Sequence, residues 1–444
     1  MEILNDTAPK SSPKPLNDKK VINAWALFDW ANSAFALVIT VAIFPGYFVK
    51  ITDEQINIFG LEVTNSSLYA FSISAAYLII AIASPFLSGI ADYGGKKKFF
   101  LKFFTTFGAI GCISLFFFTD ASQWLIGTIG FIMGMIGFAG GLVFYNAYLP
   151  LIVTEDRYDS VSARGFAFGY IGSILLLCIN LAIILNPGWL GISEESTLAV
   201  RISFLMVGLW WIGFAMISFR FLPEDDKGKP SGKLIGKGFK ELQKVWGALK
   251  YQTNIKSFLI SFFCYSAGVQ TVLYLASTFA EKELHFETSE LIMVVLLLQV
   301  VAIGGAYLFA KISEWKGNKL SLIIMLIIWT AICFVAYLVQ NKIQFYGVAA
   351  AVGVVMGGIQ SLSRSTYSKL LPPNTEDTTS YFSFYDVLEK TAIILGTFTF
   401  GYLDLITGSM RNSVLILAVF FVISLILLTR VKVVPAEVKE MEMG

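Results

Sequence analysis

The chain has 444 residues, 56% hydrophobic, 15% aromatic and only 14% charged, and its mean hydropathy is +0.70. A soluble domain carries roughly a quarter charged residues, so this composition excludes an ordinary water-soluble globule and calls for an outer surface that faces lipid. The net charge of +2, with no long basic run, gives no reason to expect nucleic acid as a partner.

The first residues, 1–20, are polar, with Pro13, Pro15 and four lysines, and read as a disordered tail. The apolar run that follows is too long for a signal-peptide core and lacks a small-residue cleavage site, so it is taken as a retained first span. A bilayer core takes about 20 apolar residues per helix. Runs of that kind lie at Ile22–Val49, Leu68–Ala91, Phe99–Phe118, Trp124–Leu149, Arg164–Leu185 and Ala199–Leu222. After a polar interval they resume at Ile255–Ala280, Leu291–Ile312, Leu320–Gln340, Phe345–Arg364, Tyr381–Leu403 and Ser413–Arg430. The fold class expected is therefore an all-α integral membrane protein of twelve spans in two sets of six. Its segments are a tail over 1–20, an N-terminal bundle over 21–222, a linker over 223–254, a C-terminal bundle over 255–430 and a second tail over 431–444.

Orientation follows from the loops, because lysine and arginine collect on the cytoplasmic side. Of the 33 such residues only Lys50, Arg201, Lys282, Lys342 and Arg411 fall in odd-numbered connections, and Lys390 lies within a span. Both termini are accordingly expected in the cytoplasm, with the protein in the plasma (inner) membrane. The long linker ends in LIGKGFKELQKVWGALK, where Leu234, Ile235, Phe239, Leu242, Val245, Trp246 and Leu249 recur at helical spacing among Lys237, Lys240, Lys244 and Lys250. This is an amphipathic basic helix, suited to the membrane surface or to the underside of the bundle. It reads first as a tether between the two sets, with regulation as the alternative.

Two turns correspond between the sets. IADYGGKKKFF joins spans two and three, and ISEWKGNKLSL joins spans eight and nine; Asp92, Gly95 and Lys97 fall on Glu314, Gly317 and Lys319 at a constant offset of 222 residues. The acid can accept hydrogen bonds from backbone N–H groups at a neighbouring helix start, where the dipole favours an anion. The glycine permits the sharp turn, and the basic residues, Lys96 included, can pair with acids on adjacent helix ends. Together these residues form a latch that two rigid halves can make and break. GGLVFYNAYLP in span four likewise corresponds to GGIQSLSRSTYSKLLP in span ten. Six spans plus six is the parallel two-half arrangement of many secondary transporters.

SGIADYGGKKKFF is similar to the signature loop of the major facilitator superfamily, with Ser88, Ile90 and Tyr93 as departures and lysines in place of arginine. WALFDWANSAFALVITVAIFPGYF, FYNAYLP, SARGFAFGYIG, GVQTVLYLA and GGIQSLSRSTYSKLLP resemble its vacuole-effluxer-like branch, the unknown major facilitator family. The resemblance implies alternating access between two six-helix bundles. Its fungal member exports amino acids from the vacuole, so efflux of an amino acid or similar metabolite, coupled to protons, is the specific expectation.

Ionisable groups inside a span are costly and are candidates for function. Asp29 lies one to two turns into span one with Asn32 a turn further on; it could carry a proton or grip an amine, or it could cap a helix or pair with a basic loop residue. Span eleven carries Asp386, Glu389 and Lys390. Asp386 and Lys390 share a face and can neutralise each other, which leaves Glu389 with spare charge as a proton carrier, or all three as a structural cluster. Tyr145, Asn146, Gln270, Gln299 and Gln360 suit a small polar, zwitterionic solute, although intramembrane amides also hold helices together. Arg164 and Arg364, near the cytoplasmic ends of spans five and ten, read as latch partners for nearby acids. The glycines of span four (Gly127, Gly130, Gly134, Gly137, Gly140 and Gly141) read as packing surfaces.

Cys112, Cys178, Cys264 and Cys333 all sit in apolar runs off any pairing spacing, and the lone His285 reads as solvated, so neither disulfides, nor a metal, nor a cofactor is expected. No nucleotide-binding motif appears, which leaves an ion or solute gradient to supply energy. The expected protein is thus a monomeric transporter, not an enzyme. The alternative is a lipid flippase or a receptor on the same fold.

Overall fold

The computed structural model describes residues 16–58, 60–193, 195–225, 234–372, 375, 377–407 and 410–432. The tail expected to be disordered and the second tail, apart from their inner ends, and residues 226–233 of the linker lie outside them. Twelve long helices follow one another up and down: α1 Lys19–Ile51, α2 Asn65–Gly94, α3 Lys97–Ser114, α4 Trp124–Asn146, α5 Tyr158–Leu185 and α6 Leu198–Phe221, then α7 Thr253–Leu284, α8 Thr288–Lys316, α9 Asn318–Leu338, α10 Lys342–Leu370, α11 Thr378–Thr407 and α12 Met410–Leu428. Eleven stretches among the described residues are long and apolar enough to cross a membrane. The exception is α11, which carries Asp386, Glu389 and Lys390 within five positions.

Local chemistry sets the helix starts. The Thr64 hydroxyl accepts from the backbone of Ser67 to open α2, Asn341 does the same for Gln344 at α10, and Glu287 and Glu290 form a reciprocal capping box at α8. Between Phe35 and Ile43, α1 widens into a π-helical stretch. Pro85 sits inside α2, where its missing N–H and its ring bend the helix. One element departs from an all-helical reading. Gln55–Ile58 (β1) and Leu61–Thr64 (β2) pair antiparallel, Gln55 opposite Thr64 and Ile58 opposite Leu61. This hairpin joins α1 to α2 at the end away from the lysine-rich turns. The chain is a multi-pass integral membrane protein, nearly all helical.

Buried apolar residues form two large clusters. One is drawn almost wholly from α1–α6 and centres on Trp25, Phe35, Phe44 and Trp211; the other is drawn mainly from α7–α12 and centres on Trp329, Tyr367 and Phe421. The halves meet where α5 packs on α8 and α10, and where α2 packs on α11. Around the outside, residues such as Phe71, Leu78, Ile82, Met216, Val300 and Phe398 are exposed, as a lipid-facing surface requires. The α8–α10 pair is closely packed. A Cβ on Gly357 would run into the Ala302 backbone, and one on Gly353 would lie 2.8 Å from the Leu298 carbonyl. Backbones this close need small residues at the contact.

Gly357→Val is therefore expected to destabilise the protein by about 1–3 kcal/mol through overpacking, read as a lowered unfolding midpoint in detergent. Gly304→Val, at a position with open space around it, should leave the midpoint unchanged.

Candidate functional site

The two halves are joined at the end of the molecule that bears the lysine-rich turns, here termed the basic end. Hydrogen bonds and ion pairs between α1–α6 and α7–α12 gather in that part of the bundle. At the opposite end the polar contacts stay within a half: Tyr47 to the Phe118 carbonyl, Arg201 to the Phe116 carbonyl, Arg411 to Glu283 and Lys342 to Glu290. The structure is closed at the basic end.

The centre of that closure is Arg364 of α10, only 2% exposed. Its Nε donates to the Ser162 hydroxyl at 2.9 Å, one terminal nitrogen donates to the Ser162 carbonyl at 2.8 Å, and the other donates to Asn146 Oδ1 at 3.2 Å. That second nitrogen also lies 3.6 Å from Asp29 Oδ2. The guanidinium plane rests against Phe166 and Trp25 at 4.3 and 4.6 Å. Asp29 is itself held by the Tyr145 hydroxyl at 3.1 Å and the Ser33 hydroxyl at 3.2 Å, while Trp25 and Phe28 stack on the Tyr145 ring. Small size at position 165 is what admits the guanidinium, because a Cβ on Gly165 would lie 2.9 Å from Arg364 and 2.8 Å from Trp25. Tyr170 on the same helix donates to Gln360 Oε1 at 2.7 Å. Arg364 thus pairs with an acid deep in the bundle rather than in a loop. Arg164 lies with its guanidinium over the Phe168 ring.

Two further contacts close the basic end, and they differ in kind. In the first, Asp92 at the end of α2 accepts the backbone N–H groups of Thr379 and Ser380, at 3.2 and 2.6 Å, from the first turn of α11, and Lys97 lies 3.3 Å away. The turn is possible because Gly95 has φ +57°. Lys96 reaches over Phe99. In the second, the related turn between α8 and α9 does not use its acid: Glu314 is exposed, Gly317 has φ +84°, and Lys319 donates to the Thr429 carbonyl. Its neighbours Ser313 and Asn318 instead donate to Asp159 at the start of α5, at 2.9 and 2.7 Å, and Lys369 of α10 completes the group at 2.7 Å. Asp159 and Lys369 stand out by no sequence signal, since an acid in the first turn of a helix is commonplace. Lys98, next to the signature turn, is buried and binds Glu224 and the Leu222 carbonyl, while its N–H donates to Asp225. Burial pushes the Asp225 carboxyl up from its ordinary value.

The second charged group lies in α11. Lys390 Nζ is 2.9 Å from Asp386 and 3.2 Å from Glu389, and sits 5.6 Å over the Tyr77 ring of α2. Glu389 is consequently not free of its neighbour, as the spacing implied, but shares the lysine with Asp386. Gln270 of α7 donates to its other oxygen at 3.2 Å. The Glu389 side chain remains 24% exposed against 5% for the other two, and Asp386 Oδ2 has no hydrogen-bond partner among the described residues. The same is true of the whole Asn32 amide and of Gln299 Oε1. Among the described residues no cluster of histidine, cysteine and carboxylate could hold a metal.

Two six-helix halves closed around intramembrane charge pairs, with a signature turn between α2 and α3, define the major facilitator class of membrane transporter. The solved structures agree on the fold. FucP, a major facilitator transporter in the outward conformation, superposes with a TM-score of 0.69 at 13% identity, covering 93% of this chain and 99% of that one. The proton:xylose symporter XylE, bound to 6-bromo-6-deoxy-D-glucose, gives 0.73 at 15% identity, covering 93% and 95%. The model of the "Vacuole effluxer Atg22 like" family matches residues 17–440, and the chain belongs to that family. It is 31% identical to the uncharacterized MFS-type transporter YxiO of Bacillus subtilis, covering 91% of this chain and 93% of the relative. It is 24% identical to Autophagy-related protein 22 of Saccharomyces cerevisiae, covering 80% and 75%.

Loss of a hydrogen bond to a charged group costs about 1.5 kcal/mol or more. Ala163, buried between α5 and α8 with Ala306 and Ala310, can report on the closure through Ala163→Cys. In that background Asp159→Asn or Asp92→Asn should speed thiol labelling roughly tenfold. Glu314→Gln should leave the rate unchanged.

Proposed function

We propose that this protein is a secondary active transporter that exports a small polar, amine-bearing solute such as an amino acid, in exchange for protons, by alternating access. The observation that carries this reading is the charge count in α11. Asp386, Glu389 and one lysine share a site inside the bundle, so two carboxylates meet a single fixed cation. A net negative site within the membrane calls for a cation, which an ammonium group or a proton supplies. Glu389, the most accessible member, is then the coupling residue. Asp29, the acid of span one that could also have carried a proton, is paired with Arg364 and belongs with the gate. Gln270 beside Glu389, and the amides of Asn32, Gln299 and Gln360, add hydrogen-bonding groups for the rest of a zwitterion. The description of the matching family as vacuole-effluxer-like supports release of a solute from a membrane-bounded compartment.

The lysine-rich loops support a cytoplasmic position for the basic end, and on that reading the state described faces outward. A plasma-membrane location and a monomeric active unit complete the proposal. A flippase would need an opening sideways to lipid, yet α2 and α11 are bridged at the basic end by Asp92, which disfavours that alternative.

Flux into proteoliposomes under an imposed pH gradient, across a panel of amino acids, tests the reading. The wild type should accumulate its solute against a gradient. Glu389→Gln should abolish accumulation while exchange of labelled for unlabelled solute continues, because exchange moves no net proton. Asp29→Asn should slow both. Accumulation by Glu389→Gln at the wild-type level would remove proton coupling through this site. Labelling of a cysteine at Lys97 from outside the cell, or its failure at His285, would reverse the orientation.

A further inference from the structure

The linker helix, Leu234–Tyr251, does not hang below the bundle as a plain tether. It packs against α2 and reaches α7 and α11. Phe239 stacks on Phe86 of α2 at 6.2 Å, Trp246 meets Phe384 of α11 at 5.5 Å, and Lys244 forms a 2.8 Å ion pair with Asp377 at the start of α11. Val245 and Leu249, one turn apart, are buried in the second core cluster. Phe86 lies more than two turns inside α2 and is itself exposed, in line with Phe71, Leu78, Ile79 and Ile82. The linker helix therefore borders the surface that faces lipid, at the level of the headgroups of the leaflet on the basic side.

Its remaining surface has the chemistry of that boundary. Phe239 and Trp246, seven residues apart and so on one side of the helix, are 45% and 65% exposed. Lys240 and Lys250 are exposed without an acid in contact among the described residues, and Gln243 is exposed between them. Aromatic rings beside a lysine-bearing sector mark a helix lying in the membrane interface, and lysines at that depth favour an anionic leaflet.

We propose that the linker helix is a binding site for anionic phospholipid, with Lys240 and Lys250 on the headgroups and Phe239 and Trp246 in the acyl boundary. Because the same helix spans α2 and α11, the pair joined by Asp92, lipid bound there clamps the basic end shut. Opening that end requires α2 and α11 to part, and the helix cannot follow both. The content of anionic lipid thus sets how readily the transporter turns inward, whatever solute it carries.

The test uses the full-length protein in nanodiscs of phosphatidylcholine, with or without phosphatidylglycerol, and follows hydrogen exchange over residues 234–251. Phosphatidylglycerol should slow exchange there by roughly fivefold for each lysine engaged. The double variant Lys240→Glu with Lys250→Glu should lose that response, while exchange in α8 and α10 stays at the wild-type rate and shows the fold intact. Equal exchange in the two lipids, or a full response in the double variant, would overturn the proposal. So would equal protection by inorganic phosphate added to phosphatidylcholine discs, which would assign the site to a soluble anion.

Discussion

The closed state depends on placing one guanidinium where no water can reach it. Arg364 is buried among α1, α4, α5 and α10, and an unpaired charge at that depth would cost more than the fold has to spare. The requirement propagates outward. Asp29 supplies the opposite charge, and Ser162 and Asn146 take the remaining N–H groups. Trp25 and Phe166 cover the faces of the guanidinium, and Gly165 leaves room for it. Every one of these partners belongs to α1–α5, whereas the arginine belongs to α10. The pairing therefore exists only while the halves are together at this end, and separating them must either strand the arginine or admit water to it.

Such an arrangement acts as a switch because its individual bonds are modest. Interhelical hydrogen bonds in membranes average about 0.6 kcal/mol, since the separated state finds other partners. A handful of them, with two shielded ion pairs, Arg364–Asp29 and Lys369–Asp159, can hold a gate without locking it. The α11 group stands in contrast: Asp386, Glu389 and Lys390 all come from one helix, so their pairing does not depend on contact between the halves. Contacts between halves depend on how the halves meet, whereas the pairing within α11 does not.

The two signature turns show how a repeat can keep its geometry and change its chemistry. In the first, the carboxylate of the turn caps the neighbouring α11 through two backbone N–H groups, so any helix start could receive it. In the second, the acid comes from the neighbour and the turn supplies Ser313 and Asn318. Both solutions place an anion between the same kinds of element. The offset of 222 residues that aligns Asp92 with Glu314 is blind to this exchange, because sequence correspondence compares residues within the turns and not the helices that face them.

Twelve spans, their alternation, the two-half repeat and the linker helix were all legible in the sequence, because each rests on local periodicity and on the cost of placing polar backbone and charge in lipid. So was the pairing of Asp386 with Lys390, fixed by a spacing of four along one helix. What only the tertiary structure decided are the partnerships between helices far apart in the chain: Arg364 with Asp29, Asp159 with Asn318 and Lys369, Glu389 with Gln270, and the linker helix with α2 and α11. Hydropathy places a helix in the membrane but leaves its rotation and its neighbours open. Those are set by close packing at small residues and by the demand that buried charges meet. Both are properties of the assembled bundle and not of any single segment.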